Sequence, residues 1–365
     1  MMTALKGVRT SLSVIEITAN DGPSQGEALP GYLKDIEGSI ARYFRKYVKS
    51  SSPLRMAISI ARVILIERPN LIISNEYRRS FLINLVLCLF LLRPLHIVIG
   101  MNLSSRPIKT SSNFLNQIIN AIFRRSSKII VHSTYEAHLF GILHDLPDKL
   151  FAFSHWGYDL PSIKSSRFSN VPKPFACMIG RNNRDLHTFA ADLKLAGIRG
   201  IAIIPSYIDF EPGHDVELDV YRDLSMDDCI DCIRNAAVNL TLLRDDQRGA
   251  GHITIVTALH LGVPQIHSDA QVLKEYVPMA HLSRPVPIGD VDAVASAILK
   301  IMHSETADLP IKRQQFARQW LSHSNAARRV GSIVRASIED EQLPLTEPKW
   351  DEWVHQEVSS QEESS

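Results

Sequence analysis

Residues 239–266 read NLTLLRDDQRGAGHITIVTALHLGVPQI, and the fold of the chain turns on this stretch. It opens as a short apolar run, passes through a charged loop and restarts as a helix after Gly249-Ala250-Gly251. A buried strand feeding a glycine-containing loop that opens a helix is the first part of a βαβ unit. The small residues let backbone approach a ligand closely, and the free N–H groups of a helix start favour an anion such as a diphosphate. Arg244 at the strand end supplies positive charge, and His252 and Thr254, either side of Ile253, offer side-chain hydrogen bonds. The same residues also fit an ordinary glycine-rich strand-to-helix turn, and the local pattern alone does not choose between the two.

Outward from this stretch the same alternation recurs. Toward the N-terminus lie strands at 175–179, 201–204 and 238–243 and helices at 186–196 and 226–235. Beyond it come a helix at 253–261, a strand at 264–267 and helices at 291–302, 311–321 and 325–338. A second, earlier series has strands at 13–17, 71–73, 95–99, 129–131 and 150–153. Its helices are read at 32–49, 54–67, 78–92, 113–124 and 134–143. Nearly every strand is a continuous apolar run, as parallel sheets covered on both faces require. Residues 161–174, rich in Ser, Lys and Pro, read as a linker. The expected architecture is α/β, with two doubly wound Rossmann-like lobes and an interdomain cleft. The lobes cover 1–160 and 175–324, helices at 325–354 pack back across them, and 355–365 form a disordered tail. Ligands in such sheets bind beyond the C-terminal strand ends.

Composition agrees. The 365 residues exceed one ordinary domain, 45% are hydrophobic and 22% charged, and the formal net charge is +1. That balance excludes a globally basic nucleic-acid binder while leaving room for a local basic patch. The four cysteines, Cys88, Cys177, Cys229 and Cys232, sit in apolar or helical settings that suit a reducing cytoplasm. Cys229-x-x-Cys232 has no second pair, so structural burial is the expected role rather than metal or redox chemistry. The first dozen residues lack the apolar core of a signal peptide. The longest greasy run, 81–92, is shorter than the ~20 residues a bilayer span needs.

With these motifs in place a resemblance emerges. The run 244–266, followed by Leu273-Lys274-Glu275-Tyr276-Val277 and Val286-Pro287-Ile288-Gly289-Asp290, resembles the C-terminal donor lobe of the GT-B glycosyltransferases. Ala258-Leu-His-Leu-Gly262-Val-Pro264 matches that lobe's small-x-G-x-P turn, and 180–185 resembles its first loop, where a basic residue commonly meets donor phosphate. His132 to Glu136 resembles the element closing the acceptor lobe. The similarity spans about 70–324 and is strongest over 227–301, resembling bacterial exopolysaccharide glucuronosyltransferases and group 1 enzymes most.

The resemblance implies transfer of a sugar from a nucleotide-sugar donor, UDP-linked by preference, to a glycan, lipid-linked, in bacterial surface polysaccharide synthesis. The donor is a co-substrate, and no further cofactor or metal is implied. Arg181, Arg184, Arg244, Gly251, His252, Ile253 and Thr254 form the expected donor site. Retaining members carry two glutamates eight positions apart; here those places hold Gly249 and Thr257, which points to inversion. Inversion needs a general base. Glu76 is the first candidate, Asp21 the second and Glu136 the third, each also fitting a helix-cap or surface role. His155 to Asp159 read as a junction turn with aromatic anchors.

In the helix expected at 32–49, Ile40, Tyr43, Phe44, Tyr47 and Val48 share one face and Arg42, Arg45, Lys46 and Lys49 another. Together with 78–92 this suggests contact with the inner face of the plasma membrane, and a cytoplasmic, peripheral location. A helix packed on the sheet fits 38–49 as well. Two other functions compete: an enzyme of similar fold such as a sugar-nucleotide epimerase, and a non-catalytic binding protein. A Rossmann dehydrogenase lacks its G-x-G-x-x-G fingerprint here.

Overall fold

The computed structural model describes residues 12–18, 40–48, 52–100, 113–246 and 249–362. It divides into two compact units: Met1–Ser154 with Ala326–Trp353, and His155–Asn325 with Val354–Ser365.

The first unit is built on six parallel strands: β1 (Leu12–Thr18), β2 (Ile40–Tyr47), β3 (Leu71–Asn75), β4 (Leu95–Ile99), β5 (Lys128–Val131) and β6 (Phe151–Phe153). They are ordered β2-β1-β3-β4-β5-β6. Helices α1 (Pro53–Glu67), α2 (Tyr77–Leu89), α3 (Asn113–Phe123) and α4 (Thr134–His144) connect β2 through β6. These four crossovers step the same way across the sheet, so right-handed connection puts all four helices on one face. There Ile60, Ile64, Ile83 and Leu87 pack on Ile15, Ile17 and Ile72, and Phe123 and Phe140 on Ile129 and Val131. The strand ends are held by a buried polar chain: His96 bonds Ser74 Oγ at 2.8 Å and Asn84 Oδ1 at 2.7 Å.

Residues 40–47 are a strand, where a helix over 32–49 was expected; 32–39 lie outside the described residues. The reason is a period of two that the aromatic and basic pattern concealed. Tyr43 packs with Val14 and Leu71 on one sheet face, and Phe44 with Ile15 and Ile72 on the other. The Tyr43 hydroxyl donates to Glu16 Oε2 at 2.6 Å, and Arg45 stands 3.5 Å from the same carboxylate. An amphipathic helix at 38–49 lying on a membrane is therefore corrected. The expected membrane helix at 78–92 is likewise mostly core: α2 buries Leu82, Ile83, Val86 and Leu87, and its exposed residues are Arg78 and those at its end, Cys88 to Leu91.

The second unit has strands β7 (Phe175–Ile179), β8 (Arg199–Ile204), β9 (Leu218–Arg222), β10 (Val238–Thr241), β11 (Gln265–Ser268) and β12 (Arg284–Val286). They are parallel and ordered β12-β11-β10-β7-β8-β9. The sequence reading missed the two edge strands. β12 contains Pro285, which an edge tolerates, and β9 is half-exposed with no apolar run. The helices are α5 (Leu186–Ala196), α6 (Met226–Asn235), α7 (His252–Leu261), α8 (Val291–Ser304) and α9 (Leu309–Trp320). Residues 161–174 carry no regular element yet are anchored: Phe168 is fully buried and its N–H donates to Asp231 Oδ2 at 2.8 Å.

The chain ends with α10 (His323–Glu339) and α11 (Pro348–Glu362). In the first unit Val330, Ile333 and Val334 of α10 cover the sheet face opposite α1–α4. The tail expected to be disordered from 355 is helical to Glu362. Among the described residues no helix is long and apolar enough to cross a membrane.

Candidate functional site

Strand order fixes where a ligand can enter the second unit. From β7 the chain runs outward to β8 and β9, then returns to place β10 on the other side of β7. Loops that diverge at such a reversal leave a crevice at the C-terminal strand ends. The two loops here are 180–185, after β7, and 242–251, after β10. They are stitched together: Asp185 N–H donates to Leu242 O at 3.1 Å, Arg244 N–H to Asn183 O at 3.3 Å, and Asn183 Nδ2 to Asp245 O at 2.7 Å. Asn183 takes φ 54°, a left-handed turn that asparagine tolerates.

Arg184 lies beneath this crevice. Its Nε donates to Ile179 O at 3.0 Å, Nη1 to Asn182 O at 3.2 Å and Nη2 to Thr254 Oγ1 at 3.3 Å. Burial draws its pKa down to about 10, so it remains charged at neutral pH and has no carboxylate partner among the described residues. Gly180 is required above it: a Cβ there would stand 2.6 Å from the guanidinium carbon. Thr254 also donates to Ile179 O, at 3.3 Å.

Helix α7 begins at Gly251, with φ 96°, no side-chain cap and no acidic residue in its first turn. A Cβ on Gly251 would fall 2.5 Å from the Thr241 methyl group. Thr241 Oγ1 is buried beside it without a hydrogen-bond partner. The N–H groups of this helix start therefore face the crevice without a capping side chain. Arg181 and Arg244 are exposed at its rim, and among the described residues neither makes an ion pair.

The seven expected donor residues separate into two kinds. Arg181, Arg244, Gly251 and Ile253 stand at or near the surface, Ile253 being 45% exposed. Arg184, Thr254 and His252 brace the loops from below. His252 Nε2–H donates to Val272 O at 2.9 Å, and its ring stacks on Tyr276 at 4.5 Å. Thr241 and Asn183 were missed. A polar residue closing an apolar strand, and an asparagine in a glycine-led turn, were the signals that marked them.

The segment after Ser154 is anchored on this same framework. His155 Nε2–H donates to Glu275 O at 2.9 Å, and Trp156 N–H to the Tyr276 hydroxyl at 2.7 Å. Tyr158 bonds the hydroxyl of Thr257, and Thr257 in turn donates to Ile253 O at 2.7 Å. Burial pushes the Tyr158 phenol up to about 12, so it stays neutral.

In the first unit the strand order reverses between β1 and β3, and Glu76 follows β3 there. Its backbone takes φ 75°, rare for a residue with a side chain, and its carboxylate pairs with the buried Arg79 at 2.7 Å. Asp21 lies outside the described residues. Glu136 is buried in the first turn of α4. Among the described residues no group of three His, Cys, Asp or Glu side chains is placed to hold a metal ion. The cysteines are free, Cys177 and Cys232 buried, and burial pushes the thiols of Cys229 and Cys232 up.

No family model matches the chain, and no curated protein resembles it in sequence. Solved structures do resemble it in fold. Anabaena HepE in complex with UDP-glucose superposes with a TM-score of 0.66 at 13% identity, over 89% of this chain and 100% of that one. The fold is GT-B. Sucrose-phosphate synthase from Thermosynechococcus elongatus shares the fold at a TM-score of 0.65 and 13% identity, over 90% and 100% of the two chains. So does a Listeria monocytogenes protein described as a UDP-N-acetylglucosamine 2-epimerase, at 0.52 and 11%, over 92% and 98%. At these identities the likeness establishes the GT-B fold and leaves the reaction to be argued from the site.

Proposed function

We propose that this chain is a glycosyltransferase using a nucleotide-sugar donor, a UDP-sugar by preference, held at the crevice between the β7 and β10 loops. One observation carries the reading: the uncapped start of α7 at Gly251, flanked by the exposed Arg181 and Arg244. Backbone N–H groups and the helix dipole favour a diphosphate there, and two arginines add charge that stabilises it as it leaves. The UDP-glucose complex of HepE supports this choice of donor.

The reading includes an inverting displacement. The acceptor hydroxyl loses its proton to a carboxylate and attacks the anomeric carbon as the nucleoside diphosphate departs with the bond's electrons. Glu76 is the proposed base, supported by its strained backbone at the strand-order reversal, with Asp21 the second candidate. The Thr257–Tyr158 pair, in place of a glutamate, supports inversion over retention. A hexosyl or glucuronosyl group passing to a lipid-linked glycan in surface polysaccharide synthesis, without metal, at the cytoplasmic face of the membrane, completes the proposal.

The test is product analysis. The protein is incubated with labelled UDP-hexoses and UDP-glucuronate, with and without an isoprenoid-linked saccharide. Acceptor-dependent release of UDP and an inverted anomeric centre are expected. Glu76→Gln should lower kcat by about 10²–10⁴-fold with donor binding intact. The Listeria relative favours one second reading: epimerisation of the donor sugar without acceptor would replace transfer by that reaction. Consumption of no nucleotide sugar would sink both.

A further inference from the structure

The segment that carries α1–α3 in the first unit has a charge and surface unlike the rest of the chain. From Pro53 to Tyr135 the sequence holds eleven Lys and Arg and only two acids, Glu67 and Glu76, although the whole chain carries +1. Both acids are already paired, Glu67 with Lys46 at 3.6 Å and Glu76 with Arg79. The cationic surplus of the molecule is therefore concentrated in this segment.

Helix α1 is apolar on two sides. Met56, Ile60 and Ile64 face the core. On the opposite side Leu54, Ile58, Leu65 and Ile66 are 70, 59, 41 and 65% exposed. At 100° per residue Leu54, Ile58 and Leu65 fall within one narrow stripe, with the exposed Arg55 and Arg62 directly beside it. A helix that met only water would carry acids and amides there. Beside α1, α2 ends in Leu89, Phe90 and Leu91, exposed by 70, 51 and 85%, followed by the exposed Arg93. Both helices return from parallel strands, so their C-terminal ends, with Leu65, Ile66 and Leu89 to Leu91, reach the same edge of the sheet.

We propose that the outer face of α1 and the C-terminal turn of α2 form a docking surface for an anionic lipid bilayer. Aliphatic side chains flanked by arginines, with no unpaired acid, match a boundary that is apolar below and negatively charged above. Nucleic acid uses the cations but has no place for the aliphatic stripe, and a second copy of this basic face would meet like charge. The proposal stands on α1 and the α2 end alone and does not depend on the transferase reading.

The experiment is vesicle flotation of the full chain. Vesicles of phosphatidylcholine are compared with equimolar phosphatidylcholine and phosphatidylglycerol, at low and high salt. Retention on the anionic vesicles alone, weakened by salt, is expected. Ile58→Glu with Leu65→Glu should weaken it at least about tenfold, and Arg55→Glu with Arg62→Glu comparably. Leu195→Glu, an equally exposed position in the second unit, should change nothing. Circular dichroism confirms that each variant is folded. The proposal is overturned if wild type ignores anionic vesicles or binds neutral ones equally. It is also overturned if the Ile58 and Leu65 pair has no effect, or if sedimentation shows a dimer that this pair dissolves.

Discussion

Single residues in the second unit carry costs that can be measured. Asp192 of α5 is fully buried with both carboxyl oxygens unpartnered, and burial, aided by nearby Asp185, pushes its pKa to about 9. The folded chain therefore holds this proton more tightly than the unfolded chain, whose aspartate titrates near 4. The stability it contributes is complete below about pH 4 and is lost as pH rises toward 9, by up to about 1.4 kcal/mol per unit. Asp192→Asn should flatten urea-derived stability between pH 5 and 8, a range inside that window; an unchanged slope would show that Asp192 is not the source. Gly251 makes a different demand, since its φ of 96° and the Thr241 methyl leave no room for a Cβ. Gly251→Ala should cost about 1–3 kcal/mol in chemical denaturation and loosen the α7 start.

At the level of elements, β2 shows why some of the fold was legible in sequence and some was not. β7, α5 and α6 were anticipated residue for residue, because continuous apolar runs and capped helices follow local rules: Asp185 and Ser225 cap α5 and α6 with their side chains. β2 was not, because its half-buried residues pack on both sheet faces and Arg45 and Lys46 meet partners distant in sequence. Arg45 and Tyr43 converge on Glu16, a contact no local pattern reveals. A double-mutant cycle of Tyr43→Phe and Glu16→Gln should show coupling of about 1–3 kcal/mol. Additive effects would contradict the pairing of β2 with β1. The edge strands β9 and β12 escaped for a related reason: half-exposed or proline-bearing strands are specified by their neighbours.

Across the whole molecule, the GT-B fold was readable because βαβ periodicity is repeated through both units, and one resemblance spans most of the chain. The candidate site was readable only in part. Its glycines and arginines were evident in 180–185 and 244–254, but sequence does not say which arginine is exposed and which is a buried brace. Arg181 and Arg244 against Arg184 is that distinction. It leads to the measurement that bears most directly on the central claim, a thermal-shift titration with UDP, GDP, ADP and CMP. The account predicts stabilisation by a nucleoside diphosphate, UDP first, of about 2.7 kcal/mol at 100 times its Kd. Arg181→Ala or Arg244→Ala should abolish most of that shift while leaving the unliganded Tm unchanged. Stabilisation by none of these nucleotides, or a UDP shift indifferent to both substitutions, would contradict a donor site at the start of α7.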